Sequence, residues 1–203
     1  MATAAERQDG VLRILEAAEV CFGARGYARS SMADIARNAG VAKSLLHYHF
    51  HSKSTMFLAV QMRLFEGLMR EVKGAVQDGG LTQDRLRNAM YQVFDDLASD
   101  RKRARLLLEL HAWEEPEKQE QLRRFTQDLR IMLIDGINEL VGTEGLVPGI
   151  TPEGLADVVL ITFRGILVDL VLLEEGGCVS DTRHAFGQSI TLMEGALVGA
   201  SRI

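Results

Sequence analysis

Two short apolar stripes that meet at a glycine are the tightest constraint in this sequence of 203 residues. Within residues 31–50, SMADIARNAGVAKSLLHYHF, the side chains Met32, Ile35, Ala36 and Ala39 recur at helical spacing. Gly40 interrupts them, and Leu45, Leu46 and Phe50 begin a second stripe at a new angle. The pattern predicts a helix, a tight turn and a second helix. Two short helices that cross steeply need a small residue where they touch and a flexible one where they turn. Ala36 supplies the first and Gly40 the second, with Val41 filling the angle. The face left over on the second helix carries Lys43, Ser44, His47, Tyr48 and His51. Such a set of donors, rings and cations suits a DNA major groove, where bases are read by hydrogen bonding and phosphates by cations and hydroxyls.

The same region carries a longer pattern. Gly26-Tyr27, Ser30-Ser31-Met32, Asp34-Ile35-Ala36, Ala39-Gly40-Val41, Leu46, His49-Phe50 and Ser52-Lys53 follow one another in an order and spacing that resemble the DNA-binding signature of the tetracycline-repressor (TetR) family of bacterial regulators, over roughly residues 10–60. Ala42, His47 and Ser54 depart from it, standing where the family commonly has a capping serine, a phosphate-contacting tyrosine and an acidic residue. The resemblance implies an all-α chain, with an N-terminal helix-turn-helix DNA-binding domain over 1–53 and a helical ligand-binding and dimerisation domain over 54–203. It also implies roles on DNA: Lys43, Ser44 and Leu45 at base edges, Tyr48 at a base or sugar, and Ser31, His47, His49 and Lys53 at the backbone. Leu45 fits a buried position equally well.

Composition agrees with a soluble regulator. The net charge of −5 is unevenly spread, because residues 1–57 carry seven cations against five anions and the excess of acid lies in the rest. Phosphate neutralisation is local and screened beyond roughly 10 Å, so a mildly basic head on an acidic body is compatible with DNA binding. Cys21 and Cys178 are too few for a disulfide framework or a metal quartet and fit a reducing cytoplasm. The N-terminus shows no apolar signal segment. The apolar run 155–173 contains Asp157, Arg164 and Asp169, which argues for a buried helix and no membrane span. The set His47, His49 and His51 invites a metal reading, because His47 and His51 sit four apart on one helix face, but two imidazoles with no Cys, Asp or Glu nearby suit DNA better. Neither a metal nor another cofactor is expected.

Periodicity and breakers predict further helices. The first runs from about Arg7 through Val11, Ile14, Leu15, Ala18 and Phe22 and ends at Gly23 and Gly26. Ser31 caps the second, answered by Asp34. Later helices are expected over 54–77, 81–99, 101–114, 116–141, 151–175 and 180–197, with Gly142 to Gly149 a loop and Thr151 a cap. The cationic run Arg101, Lys102, Arg103 and Arg105 reads as a solvated helix end.

The helix over 151–175 is apolar around much of its circumference and calls for a partner, with Gly165, Gly187, Ala196 and Gly199 small enough for close helix approach. The resemblance implies a homodimer through the last two helices, whose two heads, about 34–36 Å apart, read a palindromic operator. Asp157 and Arg164 either pair across that interface or lie at its wet rim. It also implies a small-molecule effector site within the body, for which Met90, Phe94, His111, Trp113, Phe125, Met132, Phe163 and Arg164 are the candidates. Their balance suggests an apolar or aromatic ligand, with Arg164 available to an anionic group. The expected function is therefore a cytoplasmic, sequence-specific transcriptional regulator, read as a repressor that its ligand releases from double-stranded DNA. A non-specific architectural DNA-binding protein is the alternative. A helical enzyme is disfavoured, because the sequence shows no Gly-rich phosphate loop, no HExxH and no nucleophile with an identifiable base.

Overall fold

Helix breakers and caps set the element order. The computed structural model describes residues 4–77, 83–109, 116–142, 146–172 and 179–195. These form nine helices: α1 (Ala4–Arg29), α2 (Met32–Ala39), α3 (Lys43–His49), α4 (Lys53–Gln77), α5 (Gln83–Ser99), α6 (Arg101–Leu108), α7 (Pro116–Val141), α8 (Pro152–Leu172) and α9 (Val179–Glu194). The all-α class expected from periodicity holds. Of the two glycines expected to stop the first helix, Gly23 continues it, and only Gly26 breaks it, at φ 76°, ψ 165°. That conformation is open essentially to glycine alone. The stops at 78–80 and 176–177, and the ends beyond Gly195, lie outside the described residues, as does Cys178.

The described residues fall into two units. One is drawn from Met1–Leu64 and Glu109–Phe125. Its core is Ile14, Ala18, Phe22, Ile35, Leu46, Met56, Phe57 and Val60, each almost without solvent contact. The ring of Phe57 meets those of Phe22 and Tyr27 edge-on, both with centroids 5.0 Å apart. Such aromatic pairs add about 0.5–1.5 kcal/mol beyond their burial. Arg63 reaches back to Glu16 and Glu19 of α1.

The other unit is drawn from Phe65–Leu108 and Thr126–Ile203. Phe94, Leu97, Leu170 and Ile190 are its most deeply buried large side chains, and Phe94 stacks on Phe186 at 5.2 Å. Polar ties join its helices, among them Arg87 to Glu194, Arg130 to Asp157, Arg183 to Asp95 and Lys73 to Glu139. Thr151 caps α8 through the Gly154 N–H at 3.1 Å. Asp157 receives two hydrogen bonds from Arg130, at 2.6 and 3.0 Å, so its carboxylate is engaged within the chain and Arg164 stands apart from it.

Candidate nucleic-acid interface

Turn chemistry builds the helix-turn-helix. The Ser31 hydroxyl accepts the Asp34 N–H at 3.1 Å, which caps α2, and donates to Asp34 Oδ2 at 2.6 Å, which orients it. Arg37 donates to Asp34 as well, and Arg25 lies 3.6 Å away. The Ser31 hydrogen bond, aided by the two arginines and opposed by desolvation, holds the Asp34 carboxyl below its usual range. Gly40 closes α2 in the left-handed region, at φ 66°, ψ 34°. Val41 N–H then reaches back to Ala36 O at 3.1 Å. That backward bond is the Schellman stop, and it redirects the chain after Gly40. Arg13 of α1 donates to the last carbonyl of α2, Ala39 O, at 3.1 Å. Ala42 begins α3 without a side-chain cap.

This framework turns one side of α3 inward and the other outward. Leu46 is fully buried and Phe50 nearly so. Lys43, Ser44 and His47 are exposed, and Tyr48 keeps 73% of its surface in solvent. Leu45 is also exposed, and His49 is half-buried between the rings of Tyr48 and Phe50. A phenol left mostly in water on a seven-residue helix stabilises no core, so its placement suits a partner surface.

Lys53 is differently placed. Its ammonium donates to the carbonyls of Tyr27, Ser30 and Ala28 at 2.9, 3.1 and 3.4 Å. It also lies 4.3 Å over the Tyr27 ring. This lysine therefore clasps the start of α4 to the junction between α1 and α2. From the other side, Glu109 Oε1 accepts the Tyr27 N–H at 2.8 Å, next to the break at Gly26. Sequence reasoning gave Glu109 and Arg13 no role, since partners 82 and 26 residues away leave no periodic signal.

The second unit holds two adjoining cavities with wholly apolar walls, of about 110 and 40 Å³. Met90, Val159 and Met193 line both. Of the sequence-based ligand candidates, Met90, Phe94 and Phe163 stand at these walls. Phe125 is buried in the first unit, Met132 belongs to neither wall, and Arg164 is exposed on the side of α8 that bears Val158 and Ile161. His111 and Trp113 lie outside the described residues. Met69, Leu86, Ile137 and Met193 line the larger cavity without having been singled out. Helical periodicity marks a side chain as inward but does not say whether it meets a neighbour or a void.

Among the described residues, no group of three or more His, Cys, Asp or Glu is placed to hold a metal ion, and no helix is long and apolar enough to cross a membrane.

Residues 14–60 match the family described as bacterial regulatory proteins, tetR family. The chain is 33% identical over 132 residues to the HTH-type transcriptional activator FasR of Mycolicibacterium smegmatis, covering 65% of this chain and 60% of FasR. It is 33% identical over 114 residues to the HTH-type transcriptional regulator TtgR of Pseudomonas putida, covering 54% and 52%. The chain thus spans little more than half the length of these relatives. In fold it is similar to the transcriptional regulator FadR of Bacillus subtilis, solved in complex with stearoyl-CoA, with a TM-score of 0.67 at 17% identity over 94% of this chain and 99% of that one. At that identity the likeness is one of fold.

Proposed function

Because this chain belongs, through its N-terminal domain, to the TetR family of bacterial regulatory proteins, we propose that it is a sequence-specific transcriptional regulator, a repressor released from a palindromic operator by a small apolar ligand. The observation that carries the reading is the division of α3 between a buried Leu46 and an exposed row of Lys43, Ser44, His47 and Tyr48. The head is residues 1–53 and the sensing and pairing domain 54–203. Lys43, Ser44 and Tyr48 read bases, with Leu45 exposed enough to touch a thymine methyl. Ser31, His47 and His49 meet the sugar-phosphate backbone. Lys53 serves the backbone contacts from its clasp, by fixing the height of α3.

Pairing follows from the surface of the last two helices. Val158, Ile161 and Leu172 of α8 and Leu192 of α9 are 49–80% exposed, and Gly165 has open space beside it. A second copy of the chain covers that face and sets two heads on one duplex. The cytoplasm is where such a protein meets its operator, and catalysis is no part of the reading. The FadR complex with stearoyl-CoA supports ligand binding by this fold.

Selection of bound fragments from genomic DNA, followed by footprinting, tests the reading. A short protected palindrome and a sedimentation mass of two chains are expected. Uniform, sequence-independent protection would instead favour an architectural role. A reporter downstream of the selected palindrome fixes the sign, since removal of a repressor raises its output.

A further inference from the structure

The two cavities adjoin, sharing three wall residues. Met90 of α5 and Met193 of α9 stand between them with Val159 of α8. An unbranched thioether side chain has three rotatable bonds and adapts to what it touches, so two of the three shared side chains can repack by rotamer change. Among the described residues, eleven line the larger cavity, all of them Leu, Ile, Val or Met, with no ring against which a flat ligand would stack. Among the described residues, aromatic side chains line the smaller one alone: Phe94, Phe163 and Phe186. Apolar cavities of roughly this size stay dry and accept hydrocarbon. Among the described residues that line the two cavities, none carries a charge. Arg87, which follows the wall residue Leu86, donates to the buried carboxylate of Glu194, and neither lines a cavity.

From this geometry we propose that the site takes an unbranched alkyl chain, which fills the larger cavity first and passes between Met90 and Met193 into the smaller one, so that chain length sets affinity. The proposal deepens the reading of the second unit as a ligand sensor and rests on it. The head group stays outside the apolar walls, and acid, alcohol and thioester forms of one chain bind alike to within a few-fold.

Calorimetric titration of the full chain with hexanol, octanol, decanol and dodecanol tests the claim without DNA. Affinity rises roughly fourfold per added methylene, the equivalent of a fully buried CH₂. Decanol also binds at least about tenfold more tightly than adamantanol or naphthalene, which have the same number of carbons in compact or flat form, a margin worth about two buried methylenes. In Thr162→Phe, which plugs the smaller cavity alone, hexanol binds as in wild type and the increase stops short of dodecanol. Equal binding of decanol and adamantanol, a plateau already at hexanol in wild type, or binding of decanoate and decanoyl-CoA with no binding of decanol overturns the proposal. The comparison of ten-carbon ligands needs no variant, so a misfolded Thr162→Phe leaves the test intact. Alkyl binding with unchanged operator affinity overturns the regulator reading while the chain site stands.

Discussion

The two units solve opposite problems. The first buries Phe22, Ile35, Leu46 and Phe57 completely, and most of its decisive polar contacts end on the backbone: Lys53 on three carbonyls, Arg13 on Ala39 O, and Glu109 on the Tyr27 N–H. The second contains voids, leaves Ile161, Leu172 and Leu192 in solvent, and ties its helices by side-chain ion pairs at their rims. Backbone ties fix the position of a helix to a fraction of an ångström, which base reading requires. Voids and rim ties allow helices to shift when a ligand enters. The difference teaches that rigidity is concentrated where a surface must match DNA and relaxed where a surface must respond.

Core truncation should separate the units most strongly. Phe57→Ala removes the ring that Phe22 and Tyr27 pack against, and a buried Phe→Ala change costs about 3–5 kcal/mol. Urea unfolding should show that loss. Val159→Leu adds one methylene to a wall that already borders both cavities, and should change the urea midpoint far less. Equal and large losses from the two changes would mean that the second unit is as tightly filled as the first.

Gly26→Ala comes next. It forces a Cβ into a backbone conformation reserved for glycine, at about 1–3 kcal/mol, and sets that atom 3.2 Å from Glu109 Oε1. Thermal unfolding should fall accordingly, with operator affinity falling beside it because the strain sits at the root of α2. Gly165→Ala in the second unit meets nothing within 4 Å and should be neutral or slightly stabilising in a single chain. If the two substitutions behave alike, the break at Gly26 is not held by its surroundings.

How much of this was legible in the sequence follows the same division. The helix-turn-helix could be read because its causes are local: Ser31 and Asp34 lie three residues apart, and Gly40 supplies its own left-handed turn. The break at Gly26 was half visible, since a glycine announces freedom without saying which of two neighbours uses it. Lys53 was read for its charge, whereas the fold brings the carbonyls of Tyr27 and Ser30 to it from more than twenty residues away. Arg164 was matched to an anionic ligand by charge alone, and the face of α8 on which it stands is exposed. The cavity walls were hidden most deeply. Met90 and Leu133 have the same inward periodicity as Leu129, yet only packing decides that the first two border a void and the third does not.

Lys53 and Lys43 sharpen the comparison within the head itself. Lys53→Ala removes charged hydrogen bonds to backbone and should cost about 1.5–3 kcal/mol of stability, visible as a lower melting temperature before any DNA is added. Lys43→Ala, on the exposed side of α3, should leave melting unchanged within about 0.5 kcal/mol. It should alter which operator bases are preferred and, if its ammonium also neutralises a phosphate, lower the salt slope by about 0.9. A Lys53→Ala protein that melts as wild type would remove the clasp, and a Lys43→Ala protein with unchanged preference would remove the base contact.

The smallest expected effect concerns acid. Asp34 in the first unit and Asp95 and Asp157 in the second all have carboxyl groups held below their ordinary range, by Ser31, Arg183 and Arg130 respectively. A carboxyl depressed on folding contributes stability that is fully present above its unfolded value of about 3.9 and is lost as pH falls through the lower folded value. Stability curves should therefore be flat in these groups near neutrality and bend downward only below about pH 4. The replacement Asp34→Asn keeps a side-chain acceptor for Ser31 and removes the titration. It should flatten part of that acid limb while leaving the tie between Arg13 and Ala39 in place. Because Asp34 lies at the start of α2, the same variant loses the attraction of a carboxylate for the helix N-terminus at every pH above the limb. A variant that reproduced the wild-type acid limb in full would assign the limb to Asp95 and Asp157, and would place the acid sensitivity of the molecule in its second unit.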